Sequence, residues 1–473
     1  MASSLKDFFE RYEIQKPDDV VIFDEVDIDY EPTAYYRALE AKNPVIRFRK
    51  VNRFEDYEFA TNILGSYERM AFALGCTAEK LFEKWTEIIN YSEKVDLRES
   101  KKAPVKQHIE SGDKVDLLLI PAPKHYLSDG ANAGFSNYVT SGLVIARDPG
   151  DKNILNLSFS RMQIIGKRKY AFDVGSRGHF STYVQKAKKL GVALPISVII
   201  GAHPLYYMLA ASFVENEYSK ASKVLVDPEY VYGETNVDLP VPAEAELVIE
   251  AEVAINEEFD EGPFAEFTGY TVDGSTRNVA YVKSILRRDN PIYYDISPSN
   301  SNEHVGLFTM PRDMAITRAI REFLPPGIDY SVEWPKRAAH FLAICSIGKF
   351  VPGIAKQVGL ALLGLDPMFS KIVIVNEGQT DISLEKLLVY LAIEGAKDRV
   401  NVDIISPVYF IKLDKTLMPE DTTGKMIIVT KSPDESFRYS KIVESNHKVR
   451  LRVEGSHGDS DVVFSHQPVE EGR

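Results

Sequence analysis

Hydrophobic and polar positions follow three different rhythms along the chain. From residue 1 to about 115 helical and strand spacings are mixed. Ser4 stands where a helix cap belongs, ahead of Leu5, Phe8, Phe9 and Tyr12 on one helical face. Val45-Ile46-Arg47-Phe48 alternates as a strand does, and Tyr67 to Leu74 reads as a helix stopped by Gly75. Thr77 then opens a helix carrying Leu81, Trp85, Ile88 and Ile89, and the charged stretch Lys94 to Lys106 reads as a linker.

From about 116 to 305 the rhythm shortens. Leu117-Leu118-Leu119-Ile120, Tyr138 to Ala146, Ile154 to Met162, Ile196 to Ile200, Glu246 to Val253 and Asn278 to Leu286 are β-rich runs. Ser128-Asp129-Gly130, Asp148-Pro149-Gly150 and Asp273-Gly274 are turn signals between them. The pattern predicts a β-barrel or sandwich, interrupted by one helix from His179 to Leu190 that Gly191 ends. From 306 to 455 the alternation becomes βα, which predicts an α/β domain with a parallel or mixed sheet. There Thr309 is expected to cap a helix with Pro311 in its first turn. Pro325-Pro326 should stop it, and Ser383 should cap a later helix. Residues 456–473 are polar and expected to form a mobile tail.

Composition narrows the function classes. With 473 residues and 44% apolar content the chain has room for two or three packed domains. A formal net charge of -13 argues against a general nucleic-acid binder. Two cysteines, Cys76 and Cys345, read as reduced core thiols. No apolar run approaches a membrane span and no signal core opens the chain, so a cytoplasmic protein is expected.

Chemistry concentrates in a few places. Glu261-Gly262-Pro263-Phe264-Ala265-Glu266 brackets a helix-breaking core with two acids. On a helix these acids would diverge; on a bent loop they can converge, and then one carboxyl can hold a proton while its neighbour stays ionised. A plain acidic surface turn is the alternative, since Glu257, Glu258 and Asp260 lie just upstream. In Asn156-Leu157-Ser158-Phe159-Ser160-Arg161-Met162, strand alternation puts Asn156 and Ser158 on one face, with Arg161 turned in after a kink. An inward arginine needs a carboxylate or phosphate. His179 follows Gly178 at a helix start, where free backbone N–H groups suit an anion. Asn156, His179 and Glu217 together are hard donors suited to Mn²⁺ or Mg²⁺. Lys356, early in a glycine-led helix, could neutralise a phosphate. Taken singly, each of these residues has an ordinary structural reading.

As an ordered set they resemble the UbiD family of decarboxylases: Asn156, Arg161-Met162, His179, Glu217, the Glu261 to Glu266 loop and Lys356. The resemblance covers about 110 to 430. It implies an α+β and α/β multidomain fold: a split β-barrel flavin-binding core between an N-terminal mixed α/β domain and a C-terminal α/β domain of a homodimer or larger homo-oligomer. It implies prenylated FMN as a covalent electron sink, supplied by a flavin prenyltransferase. Residues 156–161, Gly178, His179, Glu217 and Lys356 would line that cofactor. Asn156, His179 and Glu217 would hold Mn²⁺ bridging to its phosphate, which Lys356 also meets, and K⁺ near that phosphate is common in the family. Arg161, Glu261 and Glu266 resemble the family's catalytic set, with Glu266 as proton donor in reversible loss of CO₂. The substrate class is an aromatic or heteroaromatic acid, with His304 facing a ring hydroxyl or nitrogen, or alternatively an acrylic, cinnamate-like acid. An ordinary FMN split-barrel oxidoreductase and a non-catalytic subunit are the rival readings.

Overall fold

The computed structural model describes residues 3–431, apart from short stretches at 93–97, 175–177, 213, 222, 226–227, 237, 336–337, 339, 350, 379, 381–383, 395–399, 412–413, 415–416 and 418–421. Ser4 does cap the first helix, Leu5–Gln15: its Oγ accepts the Asp7 N–H at 3.1 Å, and Leu5, Phe8, Phe9 and Tyr12 are buried. Helices Tyr67–Ala73 and Leu81–Ile89 pack their apolar faces into the same core. A one-turn 3₁₀ segment, Ala78–Lys80, precedes the second of these, so Thr77 opens a tighter turn than expected.

Beside these helices lies a four-stranded sheet in the order Val20–Val26, Val45–Val51, Glu58–Thr61 and Ile292–Asp295. Its last strand comes from far along the chain and runs parallel to Glu58–Thr61. The N-terminal layer is therefore tied to the segment that follows the central sheet.

Among the described residues the central sheet has nine strands. Its long path runs Tyr138–Val139, Met162–Gly166, Lys169–Phe172, Thr276–Arg287, Leu247–Asp260, Leu194–Ile200, Leu143–Asp148 and Asp151–Phe159, with His108–Ser111 on Thr276–Arg287. Leu247 to Ala251 are buried without alternation, as expected of a strand covered on both faces. The helix His179–Leu190 covers one face, burying Phe180, Tyr183, Val184 and Ala187 against Ile196, Val198 and Val253. A register shift between Val253 and Glu258 bends the long strand just before Glu261.

The third unit is a five-stranded mixed sheet in the order Tyr330–Glu333, Leu342–Ile347, Ile372–Glu377, Thr422–Lys431 and Asn401–Tyr409. Its three central strands are parallel. The helix Ile354–Leu365 buries Val358 and Leu362 against Val375 and Ile427. Cys345 is buried there as a free thiol, pushed up to about 12 by burial, and Cys76 is free and half-buried.

Three local expectations are corrected. Leu117–Leu119 is a 3₁₀ turn rather than a strand, because the Asp116 carboxylate accepts the Leu118 N–H at 3.0 Å and Leu118 and Leu119 face outward. The run Ile154 to Met162 is two strands, broken at Ser160 and Arg161, and Tyr138 to Ala146 is likewise divided. Thr309 caps nothing: the helix runs Asn302–Phe323, capped by Ser301, with Pro311 inside it. Leu307 and Met310 before the proline and Ile316 and Ile320 after it are buried in packed cores, and that packing outweighs the hydrogen bond Pro311 cannot give. The Ser383 cap and the 456–473 tail lie outside the described residues. Among the described residues no helix is long and apolar enough to cross a membrane.

Candidate active site

Arg161 sits in the gap between the strands Asp151–Phe159 and Met162–Gly166. Ser160 fixes that kink by donating its hydroxyl to the Asp173 carbonyl at 2.7 Å. The guanidinium then meets Glu261 in a two-pronged contact, Nε to Oε1 and Nη2 to Oε2, both 2.8 Å. Its remaining arm, Nη1, reaches Glu266. Phe264 lies beneath it, 4.8 Å from the guanidinium carbon to the ring centre. One arginine thus gathers both acids of the loop, and the two do converge as a bent segment allows.

The loop owes its shape to close backbone approaches. A methyl on Gly262 would stand 2.3 Å from Gly130 Cα, and one on Gly274 would stand 1.7 Å from the Glu261 carbonyl. Only glycine lets these backbones nest. Gly130 N–H donates to the Pro263 carbonyl at 2.8 Å, and Gln163 Oε1 accepts the Gly262 N–H at 3.2 Å. Phe264–Ala265 then pairs with Thr271–Val272 as a short hairpin. Glu266 stands at its neck, its N–H on the Tyr270 carbonyl at 3.0 Å.

Electrostatics favour a charged Arg161. Burial alone would pull its pKa down, but hydrogen bonding to Glu261 and the charges of Glu266, Glu261 and Asp173 more than offset this and push it up. The Glu261 side chain is fully enclosed, whereas Glu266 and Arg161 keep a small exposed edge. Tyr138, whose hydroxyl faces the Gly262 carbonyl at 3.4 Å, is pushed up by burial and by the Glu261 charge, so it stays neutral.

A second group lies on the same strand, upstream of Arg161. His179 Nδ1 is 3.2 Å from Asn156 Oδ1, and Asn156 Nδ2 donates to Ser158 Oγ at 3.1 Å, so Asn156 and Ser158 do share a face. Glu217 is buried at the start of a short helix and its carboxylate takes the Leu157 N–H. Burial pushes it up to about 8, and its Oε2 has no hydrogen-bond partner among the described residues. A buried carboxylate oxygen without a partner, an amide oxygen and an imidazole make a donor set whose chemistry suits a hard divalent cation. Among the described residues no group of three or more His, Cys, Asp or Glu side chains is placed to hold a metal ion, so any such set here would need the Asn156 amide. Gly178 is the N-cap of the His179 helix and leaves its first-turn N–H groups without a side-chain cap; 175–177 lie outside the described residues. Leu157 is buried, and Phe159 packs its ring 5.9 Å from that of Tyr207.

Two expectations fare differently. Lys356 is half-exposed on the helix Ile354–Leu365 and pairs with Asp403 at 2.8 Å. The described contacts do not bring it to the Asn156 group, because its helix packs on the separate five-stranded sheet. His304 is in the first turn of a helix rather than a loop. Its Nδ1 donates to the Ser299 carbonyl at 2.9 Å, and burial lowers its pKa despite the nearby Glu266 charge, so the ring is neutral. It faces Phe267, which stacks on Phe308 at 4.9 Å and meets Phe369 at 6.0 Å, making an aromatic wall next to Glu266. Its neighbour Glu303 points elsewhere, accepting from Leu64 N–H and Tyr294 OH.

The sequence reading missed Arg277 and Arg312. Arg277 Nε donates to Glu261 Oε2 at 2.7 Å and its Nη1 to Asp173 at 2.8 Å. The Asp273-Gly274 turn was its signal: the turn folds Thr276–Arg287 back on Leu247–Asp260 and sets Arg277 opposite Phe259, two residues before Glu261. Arg312 lies over Phe308, Trp334 and Phe369, with Nη2 3.2 Å from His340 Nδ1. Its signal was hidden by the proline beside it, which made the segment look like a helix start.

The chain resembles proteins of known sequence family and known structure. Residues 97–301 match the family model described as the 3-octaprenyl-4-hydroxybenzoate carboxy-lyase Rift-related domain, and residues 14–89 match the corresponding N-terminal domain. An anhydromevalonate phosphate decarboxylase of Methanosarcina mazei is 27% identical over 72% of this chain and 76% of its own. A phenolic acid decarboxylase of Bacillus subtilis is 25% identical over 83% of this chain and 84% of its own. Among solved structures, the UbiD-class enzyme HmfF of Pelotomaculum thermopropionicum in complex with FMN superposes with a TM-score of 0.82 at 27% identity, covering 93% of this chain and 97% of that one. An evolved dimeric form of the same enzyme, with prFMN, gives 0.78 at 26% identity over the same shares.

Proposed function

The chain belongs to the UbiD family and is a carboxy-lyase, and on that premise we propose that it removes CO₂, reversibly, from an aromatic, heteroaromatic or α,β-unsaturated acid with prenylated FMN as cofactor. The single observation that carries this reading is Arg161 gripping Glu261 and Glu266 together beside an aromatic wall. An ordinary FMN oxidoreductase has no use for such an acid pair. Phenolic acid decarboxylases among the relatives favour a planar apolar acid, which Phe267, Phe308 and Phe369 would flank. Anhydromevalonate phosphate decarboxylases among them keep the acrylic-type alternative in view.

Loss of CO₂ leaves a carbanion, which no protein side chain delocalises; prenylated FMN, when bound, supplies the electron sink. The nine-stranded sheet is read as the split barrel that carries it. Asn156, His179 and Glu217 would hold Mn²⁺ or Mg²⁺ at its phosphate, with the uncapped N–H groups after Gly178 as further donors. Residues 157–161 would line it, and K⁺ beside the phosphate belongs to the same reading. Lys356 could join that cluster only if its pair with Asp403 opened.

The chain's own residues do the rest. Arg161 orients the substrate carboxylate and steers Glu266. Glu266, at the hairpin neck, takes the Arg161 N–H on Oε1 and delivers a proton from its other oxygen to the carbon that lost CO₂, recovering one through its exposed edge. Glu261 stays an anion and keeps Arg161 in place. The neutral His304, its Nδ1 proton committed to Ser299, offers Nε2 as an acceptor to a ring hydroxyl. A flavin prenyltransferase must supply the cofactor, and the C-terminal α/β unit is assigned to homodimer contacts.

The test is to produce the protein with and without a flavin prenyltransferase. CO₂ release is then measured from a panel of hydroxybenzoic, furoic and cinnamic acids. Release is expected only with the prenyltransferase, and Glu266→Gln should lose turnover while keeping bound flavin. Full turnover in that variant, or turnover with ordinary FMN, would overturn the reading.

A further inference from the structure

The carboxylate pair is gripped from two sides, and the second grip has no place in the reaction as described so far. Arg277 comes from the strand Thr276–Arg287, opposite the strand that ends at Glu261. Its Nε donates to Glu261 Oε2 at 2.7 Å, the same oxygen that takes Arg161 Nη2 at 2.8 Å. Its Nη1 donates to Asp173 Oδ1 at 2.8 Å, and Asp173 follows the strand that pairs with Met162–Gly166. Arg277 thus bridges two neighbouring segments, and its guanidinium cannot swing away without breaking both contacts. Among the described residues Glu261 meets two guanidinium groups, whereas Glu266 meets Arg161 alone.

We propose that Arg277 is a positioning residue that keeps Glu261 as the fixed anionic partner of Arg161, so that Glu266 is the acid that carries and delivers the proton. The asymmetry has a physical cause. Two carboxylates sharing one arginine compete for it and for a single proton. A second cation on one of them settles that competition, because it favours the ionised form there and leaves the proton to the other. Tyr138, neutral and facing the Gly262 carbonyl, and Gln163, holding the Gly262 N–H, fix the backbone next to Glu261 without adding charge. Asp173 is part of the same device: it anchors Arg277 at the end Glu261 does not use. Without Arg277 the proton is shared between Glu261 and Glu266, and Arg161 is free to follow whichever is ionised.

This rests on the decarboxylase reading, and the experiment separates the two. Arg277→Met and Arg277→Lys are made in the holoenzyme, alone and on a Glu261→Gln background, with Glu266→Gln alongside. The substrate is whichever acid of the panel the wild type turns over fastest. Arg277→Met should lose on the order of 10²-fold in kcat with KM little changed, and should keep its flavin absorbance. Arg277→Lys should recover part of that loss, because a single ammonium can still reach Glu261. On the Glu261→Gln background, Arg277→Met should cost no further activity. A crystal structure of Arg277→Met should show Glu261 rotated away from its two-pronged contact with Arg161. Wild-type kcat in Arg277→Met would overturn the proposal. So would a full loss persisting on the Glu261→Gln background, or an unmoved Glu261 in the variant crystal. If the wild type releases CO₂ from no acid, the parent reading fails instead, and the crystal alone decides whether Arg277 positions Glu261.

Discussion

At the scale of single residues, the chain keeps several carboxyls where water does not reach, and they are not equivalent. Glu261 is enclosed but doubly paired, so its burial is compensated. Glu303, also enclosed, has the neutral donors Leu64 N–H and Tyr294 OH, and an Oε2 with no hydrogen-bond partner among the described residues. Burial outweighs those hydrogen bonds and raises its pKa from 4.5 to about 7. The sign of the consequence follows from which state holds the proton more tightly. The folded state does, so Glu303 contributes stability that is full below pH 4.5 and is lost as pH rises through about 7. Gln at this position keeps the acceptor, replaces the acid O–H with an amide N–H and has nothing to titrate. Thermal unfolding at pH 5 and pH 8 should therefore show a smaller drop in Tm for Glu303→Gln than for the wild type. Parallel drops would show that Glu303 titrates alike in both states. Glu303 and His304 are neighbours in the first turn of one helix, yet only His304 faces Phe267 and the site. Adjacent positions on a helix point about 100° apart, and spacing alone does not say which one looks inward.

At the scale of elements, the hairpin that carries Glu261 and Glu266 shows what local sequence carries and what it leaves out. Gly262-Pro263 excluded a helix, so convergence of Glu261 and Glu266 was legible from chain stiffness. The partner they converge on was legible only as an arginine after a strand kink. Arg277 was legible only as a residue just after the Asp273-Gly274 turn, because its partner depends on the register between Leu247–Asp260 and Thr276–Arg287, and on a bulge that no periodicity reveals. The long helix Asn302–Phe323 failed for a related reason: Pro311 is a strong local sign of a helix start, and tertiary packing carries the helix through it. The glycines make the hairpin's demands testable. A methyl on Gly262 would press on the Gly130 backbone at 2.3 Å, and backbone cannot step aside as a side chain can. Gly262→Ala should lower stability by about 1–3 kcal/mol and displace Glu261 from Arg161. Gly166→Ala, where a methyl would meet nothing within 4 Å, is the control. Chemical denaturation of both variants reads the difference, and equal midpoints would sink the argument.

At the scale of the whole molecule, the site is a meeting of distant segments. Asn156 and Arg161 lie at the two ends of one short stretch, and on the proposed reading they divide the site into an end with His179 and Glu217 that would hold a cation and an end with Glu261 and Glu266 that would handle protons. That single stretch is why the ordered residue set could be read from sequence at all. Lys356 belongs to a different sheet, and no rhythm in the chain could fix where that sheet's helix would point. The two ends predict separable losses. If a divalent ion sits between Asn156 Oδ1, His179 and the orphaned Glu217 Oε2, removing it exposes a buried carboxylate without a partner, and the folded state loses its binding energy. Chelation of the metal-loaded protein should then lower Tm, and re-addition of Mn²⁺ should restore it. In His179→Ala, chelator and Mn²⁺ should both leave Tm unmoved, while in Glu266→Gln both shifts should persist in full, because that end handles protons and not the ion. A chelator effect that survives in His179→Ala would place the ion elsewhere. A chelator effect lost in Glu266→Gln would mean that the two ends are one site, and the division of labour drawn from Asn156 and Arg161 would be wrong.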